Sequence, residues 1–219
     1  GIHVVYGIIG FKTHTKISLV VRKEKGKLRN YFHIGTGNYN SNTSRFYTDI
    51  GFLSTDPDIS SDLIELFNYL SGFSKQKIYQ KLLVSPNSLR EKFIFLIKRE
   101  IENVKQGQKG EIIAKMNSLV DPEIIQLLYL ASQTGVKINL IVRGICCLYP
   151  QKQNLSENIH VKSIIGHFLE HSRIFWFYNN NNSEVFIGSA DWMKRNLDRR
   201  IEAVTPIEDS NLKTQLQNL

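Results

Sequence analysis

Two short motifs of the same outline, a histidine followed after one spacer by a cation, stand far apart in the 219-residue chain. The first is His14 with Lys16, and the second is His171 with Arg173. A neutral imidazole nitrogen can attack phosphorus, while lysine and arginine neutralise phosphoryl oxygens, arginine through two parallel hydrogen bonds. The two motifs therefore predict one site that handles phosphate.

A turn of small and polar residues follows each motif, and an acid follows each turn. The first copy continues with Gly35-Thr36-Gly37-Asn38, Tyr39 and Asp49, and the second with Gly188-Ser189-Ala190-Asp191, Trp192 and Glu202. Each acid stands 14 residues beyond the first glycine of its turn. Such agreement in spacing indicates an internal duplication.

The two acids have a defined use in this chemistry. A carboxylate that accepts one ring N–H of a histidine fixes the tautomer and leaves the other nitrogen free to attack. That role is predicted for Asp49 and Glu202, so that each half offers a histidine, an orienting acid and a cation. Pairing of these acids with the nearby cations Arg45, Arg199 or Arg200 is the alternative. The candidates for holding a phosphoryl oxygen or a water are the polar turn residues Asn38, Ser189 and Asp191.

The elements that must position these residues change type along the chain. The first third predicts a hairpin of residues 16–22 and 28–34 and a loop at 35–44. After 56–58 it predicts a helix that ends near Gly72 and has Ser60 or Ser61 available as a cap. A boundary is predicted near 82–86, because Ser88 with Glu91 forms a capping box that opens a long amphipathic helix.

The remainder alternates between strands and helices. The predicted elements are a strand at 111–116, a helix from Asp121-Pro122 to Gly135, a strand at 137–142, and a hairpin of residues 172–178 and 184–187. A strand, a helix and a second strand in this order predict parallel pairing within an α/β fold whose mixed sheet is flanked by helices.

Composition narrows the class of partner. A formal net charge of +8 and a pI near 9.4 favour anionic partners. No run of eighteen apolar residues predicts a membrane span. The only cysteines, Cys146 and Cys147, are adjacent and give no disulfide framework or zinc-ligand spacing, which favours a reducing, cytoplasmic setting. Gly1 opens an apolar, strand-like stretch, so the chain is expected to be a fragment of a longer protein.

At the paired motifs the sequence resembles the phospholipase D superfamily, from which it departs at Val21, where an aspartate is expected, and at Arg173, where a lysine is expected. Longer stretches resemble the bacterial polyphosphate kinase of the long-chain-synthesising type, in its C-terminal catalytic region. These stretches are GFKTHTKISLVVR, YFHIGTGNYN, YTDIGF, IIAKMNSLVDP, INLIVRGICCL, SENIHVKSIIGHFLEHSRI and IGSADWMKRNLDRRIE. The resemblance covers nearly the whole chain.

The resemblance implies roles for individual residues. His14 would be phosphorylated by ATP and pass the phosphoryl group to polyphosphate, and His171 would lie near the nucleotide phosphates. Tyr47 and Arg143 match the family's nucleotide-contacting residues. The family's magnesium-associated arginines precede the first motif, so no metal ligand is expected in this chain.

The resemblance also implies an organisation. It implies a phospholipase D-like fold in duplicate, with a partial first catalytic domain at 1–81 and a complete second one at 82–219. It further implies ATP and inorganic polyphosphate as substrates, a homo-oligomeric full-length enzyme, no nucleic-acid partner, and a bacterial, cytoplasmic location, at most peripheral to the inner membrane. The fragment alone is expected to be weakly active or inactive.

Two other functions fit the same residues. A phospholipase D-like phosphodiesterase or nuclease would use the histidine to form a link to a phosphodiester that water then releases. A non-catalytic polyanion-binding module would use only the positive charge. The other histidines, His3, His33, His160 and His167, are expected to be exposed or to be satisfied polar groups, because their spacing links them to nothing.

Overall fold

In the computed structural model, which describes residues 1–75 and 78–219, a mixed eight-stranded sheet carries most of the core. The strands are β1 (Lys12–Thr13), β2 (Ile17–Glu24), β3 (Lys27–Gly35), β4 (Tyr47–Thr48), β5 (Gly51–Ser54), β6 (Leu83–Ser85), β7 (Glu111–Met116), β8 (Lys137–Val142), β9 (Ile159–Lys162), β10 (Leu169–Glu170), β11 (Ile174–Phe177), β12 (Glu184–Gly188) and β13 (Arg200–Ile207). The helices are α1 (Pro57–Leu70), α2 (Leu89–Lys105), α3 (Pro122–Thr134), α4 (Lys194–Asp198) and α5 (Ser210–Gln217).

The large sheet runs in the order β1-β13-β12-β11-β7-β8-β9, with β6 also paired to β13. Strands β7 and β8 are parallel and joined by α3, which confirms the predicted α/β unit. Strands β11 and β12 form the predicted antiparallel hairpin. The first hairpin is also confirmed, because β2 and β3 pair antiparallel, and β5 extends them into a three-stranded sheet.

Side chains that alternate along the strands bury both faces of the large sheet. On one face, Phe175 packs among Phe93 of α2, Leu128 of α3 and Trp192. On the other face, Trp176 lies in a separate cluster that is completed by residues of β5 and α5. Alternation with a period of two explains why neighbouring aromatic residues of β11 serve opposite layers.

Two of the predicted helix caps are wrong. Helix α1 is capped by Asp56, whose Oδ1 accepts from the Ile59 N–H at 2.9 Å, so Ser60 lies inside the helix. At the start of α2, the Ser88 hydroxyl accepts from the Val84 N–H at 3.3 Å and makes no cap hydrogen bond to the helix. The capping box with Glu91 is therefore absent, since the preceding strand β6 takes the serine.

The other helix signals are confirmed. Asp121 accepts from the Ile124 N–H at 3.1 Å, and Pro122 occupies the first turn of α3. Gly135 ends this helix with a φ of 107°, a left-handed conformation that favours glycine. None of the helices in residues 1–75 and 78–219 is both long and apolar enough to cross a bilayer.

Two short parallel pairings join the early part of the chain to the late part. Strand β1 pairs with β13, which places Thr13 beside Ile201. Strand β10 pairs with β4, which places Glu170 beside Thr48. Each pairing lies immediately before one of the two motif histidines, so the strand register fixes where both histidines enter the site.

Arg90 holds together three helices beneath the sheet. Its guanidinium donates to the buried Asp121 at 2.6 Å, to Asp198 at 2.7 Å and to Glu123 at 2.9 Å. We expect Arg90→Ala to destabilise the protein by about 3 kcal/mol, because it leaves the Asp121 carboxylate buried without its charged partner. Urea unfolding measures the loss.

Arg22→Ala is the matched control for this prediction, because Arg22 lies 3.6 Å from Glu24 and is largely exposed. An exposed pair contributes at most about 1 kcal/mol. Equal unfolding midpoints for the two variants would show that the Arg90 network contributes nothing beyond a surface pair.

Candidate functional site

His14 follows strand β1 and is fixed at both its backbone and its ring. Its backbone N–H donates to the Ile201 carbonyl at 2.9 Å. Its ring Nδ1 lies 2.9 Å from Oε2 of Glu202, a carboxylate that is fully buried. The ring itself keeps 20% of its side-chain surface exposed. Among the described residues, no group hydrogen-bonds its other nitrogen, Nε2, which is therefore open to a substrate.

His171 follows strand β10 and repeats this arrangement. Its backbone N–H donates to the Thr48 carbonyl at 3.0 Å. Its ring Nδ1 lies 2.7 Å from Oδ1 of Asp49. Thr48 and Ile201 each directly precede the acid that binds the ring, so the two histidines use the same backbone and side-chain positions of opposite copies.

The turn hydroxyls reproduce the duplication that the spacing predicted. The Thr36 hydroxyl donates to Asp49 at 2.7 Å, and the Ser189 hydroxyl donates to Glu202. Each hydroxyl oxygen also accepts the N–H of the residue after the acid, from Ile50 at 2.9 Å in one copy and at 3.3 Å in the other. The two carboxylates are thus held in equivalent hydrogen-bond frames.

The carboxylates bind the histidines crosswise. Asp49 belongs to the copy that begins with His14 but bonds to His171, and Glu202 bonds to His14. Pairing with Arg45, Arg199 or Arg200 was the alternative from the sequence, and both acids face imidazoles instead. The prediction that each half orients its own histidine is therefore wrong, and the crossing brings the two motifs together.

Backbone space at the first turn is set by Asp49. A Cβ placed on Gly37 would collide with the Asp49 carboxylate, which packs against the glycine backbone. Only glycine leaves room for the acid at this distance. The glycine therefore serves the orientation of the carboxylate.

The two imidazoles differ in what surrounds their Nε2 atoms. Nη1 of Arg173 lies 3.1 Å from Nε2 of His171. Because arginine only donates, this nitrogen accepts, and Nδ1 carries the proton that is donated to Asp49. Burial lowers the pKa of His171; the hydrogen bond to Asp49 opposes this, and the nearby Arg173 charge adds to the lowering. His171 is therefore a neutral ring with both nitrogens engaged.

Asp49 is a strong acceptor in this frame. Burial alone would raise the pKa of its carboxyl, but the hydrogen bonds from His171 and Thr36 outweigh burial and hold the pKa below its ordinary value. The carboxyl therefore stays ionised and accepts from both groups at neutral pH.

Arg173 is 3% exposed and directs its donors into the protein. It donates to both carboxylate oxygens of Asp191 at 3.3 Å, to the His171 carbonyl at 2.7 Å and to the Thr36 carbonyl at 3.3 Å. Its guanidinium therefore supports His171 and the first turn.

Lys16 is the counterpart of Arg173 in the first copy. Its ammonium donates to the His14 carbonyl, as Arg173 donates to the His171 carbonyl. Lys16 is 5% exposed, and burial lowers its pKa to about 8; Glu202 opposes that shift, and Arg173 and Arg200 add to it. The buried ammonium places a positive charge beside the motif.

The polar turn residues are engaged in different ways. Ser189 serves Glu202, and Asp191 accepts from Arg173 and from the Asn117 N–H, so both face protein groups. Asn38 lies exposed in the first turn. The aromatic residues after the turns also diverge, because Trp192 is in the core while Tyr39 is 60% exposed.

Tyr47 lies beside His171, and Arg143 lines a pocket that reaches Glu170, the residue before that histidine. The Tyr47 ring centroid is 5.0 Å from that of His171, with the planes inclined at 54°. Arg143 follows β8 and lines a surface pocket of about 410 Å³ with Phe46, Glu170 and residues 164–169. This pocket borders the segment that carries His171.

Some site residues were not found from the sequence. Asn196 donates to Glu202 at 2.6 Å, and Asn117 accepts from Arg143 at 3.0 Å. The interval of 13 residues shared by Thr36 with Asp49 and Ser189 with Glu202 was a signal that pointed to the hydroxyls. The duplication signals neither asparagine: Asn117 binds an arginine 26 residues away, and Asn196 lies six residues before Glu202, outside the turn-to-acid interval that was compared.

The remaining histidines lie outside this arrangement. His33 contacts the Tyr39 hydroxyl at 2.6 Å, and His160 contacts Gln151 at 3.0 Å. Within residues 1–75 and 78–219, no group of three or more His, Cys, Asp or Glu side chains is placed to hold a metal ion.

Comparison with known proteins identifies the family. The family model for polyphosphate kinase C-terminal domain 1 matches residues 1–76, and the model for polyphosphate kinase C-terminal domain 2 matches residues 82–219. The chain is 64% identical over its whole length to a polyphosphate kinase of Parasynechococcus marenigrum and 65% identical to one of Prochlorococcus marinus. It covers 31% of each of these relatives, so it spans about a third of their length.

A solved structure agrees with this assignment. The crystal structure of polyphosphate kinase from Porphyromonas gingivalis superposes with a TM-score of 0.90 at 42% sequence identity, and the match covers 96% of this chain and 33% of that one. The mixed sheet with flanking helices is therefore shared with an enzyme of the same name as the sequence relatives. The chain belongs to the polyphosphate kinase family.

Proposed function

We propose that this chain carries the catalytic site of a protein that transfers the γ-phosphoryl group of ATP reversibly to inorganic polyphosphate. The transfer proceeds through a phosphohistidine at His14. The crossed pairing of two histidines with two carboxylates carries this proposal. It leaves one imidazole, that of His14, with an oriented ring and an open Nε2. Family membership supplies the substrate class, since the relatives are named polyphosphate kinases.

The proposed reaction has two steps. In the first, the Nε2 lone pair of His14 attacks the γ-phosphorus of ATP, an N–P bond forms, and the bond to the β–γ bridging oxygen breaks to release ADP. In the second, a terminal oxygen of polyphosphate attacks the phosphohistidine and the N–P bond breaks. Glu202 holds the Nδ1 proton through both steps, which keeps Nε2 the nucleophile.

The remaining groups provide position and charge. His171 would lie near the phosphoryl groups, and Lys16 would place its buried charge beside them. Arg173 would set the tautomer of His171 through its contact at 3.1 Å. Tyr47 would contact the adenine and Arg143 the nucleotide phosphates, in the pocket that Arg143 lines. Phosphoryl transfer depends mainly on such positioning and neutralisation of charge.

Magnesium, which the family implies, finds no ligand set in the described residues. The carboxylates of the site are Asp49, Glu202 and Asp191. Ring N–H and hydroxyl donors occupy the first two, and Arg173 with the Asn117 N–H occupies the third. The residues present therefore do not fit a magnesium site. A homo-oligomeric assembly and a cytoplasmic location are the remaining parts of the proposal.

The direct test uses the full-length protein with γ-labelled ATP and magnesium. We expect protein-bound label that is acid-labile and base-stable, as an N–P bond is, and that moves to added polyphosphate or back to ADP. Cleavage of a phosphodiester without such label would instead support the phosphodiesterase alternative. Salt-sensitive polyphosphate binding with neither activity would reduce the protein to a polyanion-binding module.

Lys16 gives the reaction an expected alkaline limit. Because burial lowers its pKa to about 8, the ammonium loses its proton as the pH rises through that value. We expect the rate of phosphoenzyme formation to fall by up to about tenfold per pH unit above pH 8. Lys16→Arg should keep the charge and extend the plateau, since Arg173 makes the equivalent contact in the other copy.

Rapid-quench rates measured from about pH 6.5 to about pH 9.5 test this prediction, because this range of roughly three pH units spans the lysine titration. Lys12→Arg is the control, because Lys12 lies four residues before Lys16, on β1, and is exposed. An alkaline limb that Lys16→Arg leaves in place would assign the limb to another group.

A further inference from the structure

Asn117 joins two functional groups that come from different elements. It follows β7, and its side chain is buried, with 5% exposure. Its Oδ1 accepts from Nε of Arg143 at 3.0 Å, and its backbone N–H donates to Asp191 at 2.7 Å. Asp191 in turn accepts from Arg173, the residue that contacts His171. Asn117 therefore connects Arg143, the arginine proposed to bind nucleotide, with Asp191, which holds Arg173 beside His171.

A contribution to folding stability does not explain why an amide side chain occupies position 117. Its Nδ2 is buried and has no hydrogen-bond partner in the part of the chain that the structure describes. Rotating the amide would place Nδ2 against the Arg143 Nε–H, donor against donor, so the observed orientation is the one that binds arginine. A buried donor without a partner is unfavourable for folding. The interaction that the side chain does make is through its carbonyl oxygen, which accepts from Arg143.

This hydrogen bond from Arg143 to the Asn117 carbonyl oxygen orients the arginine side chain. The arginine backbone N–H donates to the Met116 carbonyl at 3.2 Å, which fixes the end of β8. With Nε bound to Asn117, the guanidinium plane is set, and no described residue accepts from its two terminal nitrogens. A planar fork held in advance loses less freedom when it binds a phosphate through both nitrogens.

We propose that Asn117 is a positioning residue that pre-orients Arg143 for nucleotide phosphate in the pocket lined by Arg143. This inference rests on the proposed function for the identity of the ligand, ATP. It assigns Asn117 a role in binding ATP and no contact with the transferred phosphoryl group.

The test measures equilibrium binding of ATP to the full-length protein. We expect Asn117→Ala to weaken ATP binding about tenfold, while the rate of phosphoenzyme formation at saturating ATP stays within about threefold of the native rate. The melting temperature should be unchanged or higher, because the variant removes an unpaired buried donor. A purely structural residue would lower the melting temperature and reduce both parameters together, which would overturn the proposal.

Asn103→Ala is the matched control. Asn103 lies in α2 and also has a buried Nδ2 with no partner among the described residues. Its replacement removes the same kind of donor away from Arg143. We expect native ATP binding from this variant, and a loss equal to that of Asn117→Ala would overturn the proposal.

A double substitution tests the route of action. If Asn117 acts through Arg143, adding Asn117→Ala to Arg143→Ala should change ATP binding by less than about twofold. A further tenfold loss would show that Asn117 acts by another path. ATP binding is measured without turnover. Absence of a phosphoenzyme in the native protein would therefore refute the proposed transfer reaction, while the effect of Asn117→Ala on ATP binding could still be interpreted.

Discussion

His14→Ala is expected to abolish the acid-labile label from γ-labelled ATP, with a loss of at least about 10³-fold in the rate of phosphoenzyme formation. The physical reason is that His14 is the imidazole in the site with Nδ1 held by a buried carboxylate and Nε2 unbound by any described residue. His171 cannot substitute for it, because Arg173 occupies its Nε2. Rapid-quench labelling, followed by acid and base treatment, measures the loss.

The control for His14→Ala is His160→Ala, which removes an exposed imidazole that hydrogen-bonds Gln151 and lies outside the paired motifs. This variant should label like the native protein. The alanine at position 14 leaves Glu202 with its contacts to Ser189 and Asn196, so the melting temperature of the variant should show a folded protein. Full labelling of a folded His14→Ala protein would show that another group carries the phosphoryl group.

Much of the site could be predicted from spacing, because a duplication preserves intervals along the chain. The interval from the turn to the acid pointed to Asp49 and Glu202, and the hydrogen bonds from Thr36 and Ser189 show that this interval has a structural basis. Intervals within a copy describe one polypeptide segment at a time. For that reason they pointed to these residues, but the prediction that each half orients its own histidine was wrong.

The crossing of the carboxylates could not be predicted, since it depends on which strands pair. Two short strands, β1 and β10, set it by pairing with β13 and β4. Strands of two residues carry almost no hydrophobic pattern, and no periodicity reveals them. The same limit applies to Asn117, whose partners Arg143 and Asp191 lie in other elements.

The fold was predictable where local and tertiary preferences agree. Asp121 and Gly135 begin and end α3 as their chemistry requires. At Ser88 the two preferences compete, because the N–H of Val84 in β6 needs an acceptor and the serine hydroxyl provides it. The sequence pattern for a cap was present, and the tertiary contact overrode it.

Glu202→Gln is expected to slow phosphoenzyme formation by roughly 10²–10⁴-fold, because a glutamine no longer fixes the tautomer of His14. Its amide group can donate to Nδ1, and the ring proton then moves to Nε2, which cannot attack. The carboxylate is fully buried and also accepts from Ser189 and Asn196, so the near-isosteric amide tests the charge and the acceptor with little change of volume. Single-turnover rates at saturating ATP provide the measurement.

The crossed arrangement makes this prediction specific to one histidine. In a His171→Ala background, which retains the proposed nucleophile, Glu202→Gln should keep its full effect. Asp49→Asn should change the rate of that background by less than about threefold, because the imidazole that it orients is already gone. If each acid instead served the histidine of its own copy, the outcome would reverse, with Asp49→Asn losing the label and Glu202→Gln nearly silent. The double-mutant comparison therefore decides whether the hydrogen bonds at 2.9 and 2.7 Å are the ones that orient the reacting rings.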